Sequence, residues 1–206
     1  MPATLPPAGD PAVLVATRRE LHRVAAEVLA PARVAATGNE IALEPRPGGF
    51  GTPPFPAGGE VRVEGTELVT VAADGAERRR ALDVDAAAAA VLAAFWGFAA
   101  GLLEVLRGEA RREDDASSAI LWPEHFDVAI ELGPPGRRAT YGGSPGDERH
   151  DLPYLYVAPW QDPPPGTGPW DAVGFRGAEL GYAALAATAD PGASALAWLR
   201  GLRDAL

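Results

Sequence analysis

Apolar residues recur at helical intervals over residues 17–35, where Leu21, Val24, Ala25, Val28 and Leu29 share one face, and this spacing predicts a first amphipathic helix. Thr17 and Glu20 have capping-box spacing at its start, and Pro31 is placed to end or kink it. The period then changes to two. Ile41 and Leu43 alternate with Glu40 and Glu44, and Val61 and Val63 alternate with Arg62 and Glu64, as in strands with one wet face. Between them the Gly/Pro-rich stretch 45–59 predicts an irregular loop. A turn at Gly65, a strand over 68–73, an Asp74-Gly75 turn and a strand over 77–82 complete an antiparallel meander.

A run of 18 residues from Ala86 to Leu103 has no charged or strongly polar side chain, the length of a membrane span. Half of it is alanine, which supplies little transfer free energy, and Asp85 and Glu104 bracket it. It therefore reads as a buried core helix, capped by Asp85 and ending near Gly108, with Gly97 and Gly101 admitting another element close to its backbone. The charged stretch 107–118 reads as a linker. Strands over 119–132, 138–141 and 154–158 follow, then a proline-rich loop over 159–170. Asp190 and Pro191 open a closing helix with Leu196, Leu199 and Leu202 as its apolar stripe. The expected class is α+β, with antiparallel sheets packed on a long Ala-rich central helix plus N- and C-terminal helices. A disordered Pro-rich tail over 1–12 precedes a single domain over 13–206, whose halves, 13–108 and 118–206, are similar enough to suit an old duplication.

Composition narrows the chemistry. The net charge of -10 repels phosphate backbones and anionic headgroups, so neither nucleic acid nor a membrane surface is an expected partner. All 18 basic residues are arginine, which with abundant alanine speaks of a GC-rich coding genome. The lack of cysteine removes disulfides, thiolate nucleophiles and Cys-ligated metals. The first ten residues lack a basic and an apolar export region, which makes the cytoplasm the expected location.

Ionisable and aromatic residues concentrate in LWPEHFD, residues 121–127, and in the stretch 141–160. With Phe126, Val128, Ile130 and Leu132 inward, His125, Asp127 and Glu131 share the opposite face, the first two about 7 Å apart. By the same alternation Tyr154 and Tyr156 share a face, continued by Trp160, while the flexible loop SPGDERHD offers Ser144, Asp147, Glu148, His150 and Asp151. His125, Asp127 and His150 are thus the candidate catalytic residues. Trp122, Tyr141, Ser144, Asp147, Tyr154, Tyr156 and Trp160 are the candidate ligand-binding ones. In a proton-transfer reading, His125 or His150 is the base, a carboxylate orients it and a tyrosine hydroxyl polarises the substrate. A divalent metal held by His125, Asp127, Asp147 and His150 is the alternative, without diagnostic spacing, and simple packing with ordinary turn chemistry is the bland one. No cofactor is identified.

Other features carry less. His22 flanks the first helix's apolar stripe, where solvent exposure is the commoner fate, and it joins the cleft only if that helix reaches it. Arg78, Arg79 and Arg80 read as a solvated edge strand. GGFGTPPFP lacks the Gly-Lys-Ser/Thr ending of a phosphate loop, and no nucleophile elbow, dinucleotide fingerprint or zinc-protease motif occurs.

Leu21-His22, Thr52-Pro53-Pro54, Asp74-Gly75, Phe126-Asp127-Val128-Ala129, Ser144-Pro145-Gly146, the strand from Pro153 to Tyr156 and the closing helix are together similar to an actinobacterial domain-of-unknown-function family. Ala26 and Ala30 depart from its pattern, which has longer polar side chains there. The resemblance implies a soluble bacterial α+β protein and transfers no reaction. Two functions follow from the residues: a small-molecule binding protein or enzyme with a His/carboxylate/aromatic cleft, or a protein-interaction module, homodimeric in one form, that presents the same aromatic face.

Overall fold

The computed structural model describes residues 5–38, 41–163 and 166–206. Residues 1–4 of the expected tail, Glu40 of the expected first strand and residues 164–165 of the proline-rich loop lie outside them. Helix α1 (Pro11–Val24) starts where Asp10 accepts a hydrogen bond from the Ala12 amide at 2.9 Å, with Pro11 at the first helical position. This corrects two expectations. Residues 11 and 12, expected in the tail, are helical, and Leu5 and Ala8 pack on the core. Thr17 does not cap; it is buried mid-helix, and its hydroxyl accepts from the Asp85 amide at 3.2 Å. The helix passes through one π-helical turn, Ala25–Leu29, into α2 (Ala30–Thr37). Pro31 has no N–H to offer the preceding turn, and the wider turn accommodates it without ending the helix.

Five strands form the first sheet in the order β1-β2-β3-β4-β5: β1 (Glu44–Arg46), β2 (Gly49–Gly51), β3 (Glu60–Glu64), β4 (Glu67–Val71) and β5 (Glu77–Ala81). The stretch 45–59 is therefore not wholly irregular. It contributes a hairpin that inserts Phe50, fully buried, into the core. The strand expected around Leu43 lies further along the chain, and Leu43 instead makes a single antiparallel bridge to Leu121 in the other half.

The second sheet has the same nearest-neighbour topology: β6 (Ile120–Trp122), β7 (Asp127–Leu132), β8 (Ala139–Ser144), β9 (Tyr154–Pro159) and β10 (Ala178–Gly181). The strand expected over 119–132 is two strands, because the chain reverses over 123–126 and Phe126 takes φ 60° there. β10 and the short α4 (Tyr182–Ala186) come from a segment where nothing regular was expected. The charged stretch after residue 109 is tethered to β7: the Ser117 amide donates to the Glu131 carbonyl at 3.0 Å, and the Glu131 amide to the Ser117 hydroxyl at 2.9 Å.

Helix α3 (Ala86–Glu109), capped by Asp85 through the Ala88 amide, packs on both sheets, on α1 and on the closing helix α5 (Pro191–Ala205). Among the described residues it is the one helix long and apolar enough to cross a membrane, and most of it is enclosed by the fold. Trp96 meets Phe50 and Phe126 edge-on, with ring centroids 5.4 and 4.7 Å apart, so one core joins residues of both halves. Gly97 faces open space, contrary to the expectation of close approach there. The tight contact is at Gly143 of β8, where a Cβ would lie 2.5 Å from that of Ala99. Asp190 caps α5, whose Leu199 and Leu202 are buried and whose Leu196 packs at the core's edge.

Candidate functional site

The strand register of the second sheet sets Gly142 of β8 opposite Tyr156 of β9, and Ser144 opposite Tyr154. Because Gly142 has no side chain, the Tyr156 ring lies across β8; a Cβ at Gly142 would sit 2.4 Å from Tyr156 Cζ. The hydroxyl thereby reaches over one strand to Asp127 on β7 and donates a hydrogen bond to Oδ2. Asp127 is only 8% exposed, and its Oδ1 is buried with no hydrogen-bond partner among the described residues. Burial pushes the Asp127 pKa up; the Tyr156 hydroxyl and the neighbouring His125 pull it down without cancelling that effect. Burial, reinforced by the Asp127 carboxylate, holds the Tyr156 hydroxyl well above its ordinary pKa.

Beside this pair the loop after β8 is organised by Asp147. Its Oδ1 accepts from the amides of Arg149 at 2.7 Å and His150 at 3.0 Å and faces His150 Nδ1 at 2.9 Å, while Oδ2 accepts from the Tyr154 hydroxyl at 2.7 Å. Burial alone would raise the Asp147 pKa, but the Tyr154 hydroxyl, the Arg149 amide and His150 outweigh it, and the pKa is lowered. His150 Nε2 meets Glu179 of β10 at 3.3 Å. The loop is also held from α1. Arg18, 5% exposed, donates from Nη1 to the His150 carbonyl at 2.9 Å and from Nη2 to the Asp147 carbonyl at 2.8 Å. Sequence reasoning missed Arg18, whose place beside Thr17 and Leu21 on the buried side of α1 was the available signal.

These elements enclose a cleft of about 370 Å³ on the outer face of the second sheet. His125, Asp127, Ser144, Asp147, Tyr154 and Tyr156, six of the sequence candidates, line it, together with Thr140, Ala158 and the unexpected Phe175. Tyr154 and Phe175 flank Tyr156, with ring centroids 6.2 and 5.9 Å from it and interplanar angles of 53° and 77°.

Four candidates fall elsewhere. Tyr141 is a correction: it pairs with Ile130 and Val157 and is fully buried, because β8 turns it to the inner side, where Gly143 meets α3. Trp160, 51% exposed, lies beyond the cleft; Thr140 accepts a hydrogen bond from its indole at 3.2 Å, and Arg138 stacks 5.1 Å from its ring centre. Trp122 borders a separate hollow with Ala129 and Thr140. His150 sits behind the cleft wall with both ring nitrogens engaged by carboxylates, which leaves no nitrogen for a substrate proton and gives it the role of fastening the loop to β10. His22 is not solvated as expected. Its Nε2 is 2.9 Å from the Pro123 carbonyl and its ring stacks on Phe126 at 5.1 Å, so it supports the turn that carries His125 without entering the cleft. Among the described residues, no three His, Asp or Glu side chains converge to hold a metal ion.

The arrangement offers a buried carboxyl, a phenol bonded to it, an exposed imidazole and three aromatic rings around one small space. Compared with known proteins, the chain matches no family model, no curated protein and no solved structure, so the reading of this cleft rests on its geometry.

Proposed function

We propose that the protein is a small-molecule-binding protein whose site is the cleft over β7, β8 and β9, with Asp127 and Tyr156 as its polar anchor. The observation that carries this reading is the Asp127 carboxyl, more than nine-tenths buried with one oxygen unpartnered, in the wall of a cleft at the small end of ligand-site volumes. A buried acceptor without a partner costs about 1–3 kcal/mol, a cost that fold stability gives no reason to keep and that a bound donor would remove. His125 beside this pair leaves proton transfer open to the same site, with Asp127 rather than His150 as the group that moves the proton.

The test compares native and denatured mass spectra of the purified protein, followed by a thermal-shift screen of small polar-aromatic compounds against wild type and Asp127→Ala. The expected result is a retained molecule, or stabilising compounds, lost in the variant. Hits that stabilise both proteins equally, or none across the screen, overturn the reading. A protein-contact reading draws support from Trp122 and Trp160, both exposed beside the cleft. A dimer in the same native spectrum that Trp160→Ala dissociates is its expected signature.

A further inference from the structure

We infer that the cleft takes a small organic cation, an ammonium group on a short apolar body, with Asp127 as its counter-charge. The inference rests on the binding reading above and names the class of ligand.

Three observations carry it. The first is the sign of the charge. The cleft wall holds the carboxyl groups of Asp127 and Asp147 and no guanidinium, and the chain has no lysine at all. A carboxylate or phosphate ligand would enter beside two carboxyl groups, with His125 in the lining and His150 and Arg18 behind Asp147 as the positive groups near them, so Asp127 keeps the least compensated charge and an ammonium group meets its complement there.

The second is the presentation of the rings. Tyr156 reaches over Gly142, which has no side chain to displace it, and its ring is part of the cleft lining. Tyr154 and Phe175 are steeply inclined to it, with centroids 6.2 and 5.9 Å from its own. A cation seated among these rings is within the roughly 6 Å reach of cation–π attraction. An uncharged hydroxyl or amide gains nothing comparable from that arrangement.

The third is the state of Asp127. One oxygen is bonded by Tyr156 and the other is buried without a partner among the described residues, so the carboxyl has unused capacity for one more donor. Its raised pKa fits the same account, because a cation beside it stabilises the ionised form that burial disfavours. Asp147 is not equivalent, as both its oxygens already accept hydrogen bonds.

The experiment titrates the whole protein with 2-phenylethylammonium chloride, 2-phenylethanol and sodium phenylacetate, three probes of one shape and different charge. Calorimetry measures affinity, and proton NMR follows the ring signals of Tyr154, Tyr156 and Phe175. The ammonium probe is expected to bind at least about tenfold more tightly than the alcohol, with phenylacetate weakest, and Asp127→Asn is expected to erase that preference. Phe175→Leu, at a half-buried position, is expected to weaken the ammonium probe severalfold and leave the alcohol little changed. If the alcohol or phenylacetate binds as tightly as the ammonium probe and moves the same ring signals, the cation inference is overturned and the cleft reading stands. If none of the three binds or moves those signals, both are overturned.

Discussion

On the outer face of the first sheet Arg62 bridges Glu60, Glu64 and Glu77 at 2.7, 2.7 and 2.8 Å, and Arg79 bridges Glu64, Glu67 and Glu77 at 2.9, 3.0 and 3.1 Å. Val69 lies between these two arginines in the register and is fully buried, on the face turned away from the core. The outer face of the second sheet has the same strand order and the same helix behind it, but it carries an unpartnered carboxyl oxygen, aromatic rings and a cleft. On the first face the charges answer one another and the arginine stems cover the apolar residue between them, although the buried Arg46 Nε lacks a hydrogen-bond partner among the described residues. Topology is shared, so what separates the two faces is the setting of the unpaired group, an arginine nitrogen among carboxylates on the first and a carboxyl oxygen beside a cleft with aromatic rings on the second, and that depends on which positions carry glycine, tyrosine and aspartate.

The contrast can be broken most severely from behind. Arg18→Ala removes two charged, part-buried hydrogen bonds to loop carbonyls and releases the loop that carries Asp147; a loss of about 3 kcal/mol is expected in urea unfolding, with loop amides exchanging faster. Gly142→Val drives a side chain into the Tyr156 ring and parts it from Asp127, at about 2 kcal/mol and with ligand binding abolished, as calorimetry would read.

Asp127→Asn sharpens the contrast, because here stability and binding move apart. The folded pKa of Asp127 is raised, so the folded state holds its proton more tightly than the unfolded one, and this group lowers stability as pH rises above its unfolded value. The variant is expected to flatten that part of the pH–stability curve and gain stability near neutral pH, while losing ammonium affinity. In wild type that affinity should fall as acid protonates Asp127, whose ionisable neighbours are Tyr156, His125 and Glu124. The smallest effect belongs to the first face. Arg62→Ala is expected to cost about 1 kcal/mol or less, attenuated by salt, with ligand binding unchanged. A change in binding there would show the two faces to be coupled.

Much of this architecture was legible where local signals agree with the tertiary outcome: Asp85 before the alanine run, Asp74-Gly75 between two alternating strands, Asp190-Pro191 before α5. It was illegible where long-range packing overrides composition. The β1–β2 hairpin hides among glycines and prolines because Phe50 is its one strong apolar residue. The reversal before β7 depends on Phe126 at a positive φ, which no residue type there announces. In the site, alternation gathered His125, Asp127, Tyr154 and Tyr156 correctly on one surface. It could not phase β8, where Gly142 and Gly143 lack side chains to mark the two faces, and so Tyr141 was assigned to the wrong one. Phe175 sits in a segment without periodicity, and only the return of β10 beside β9 brings it to Tyr156.

The hydrogen bond from Arg18 to His150 spans 132 residues of chain, while every strand pairing within either sheet joins sequence neighbours. Nearest-neighbour meanders close small loops and form early, whereas a contact of that separation carries a larger closure entropy and comes late. During synthesis the first sheet and α3 can assemble while the second sheet is still unmade, and α1 holds its arginine ready for a loop that has not yet emerged. The cleft is then the last feature the chain completes as it folds, and the first it gives up when the loop lets go.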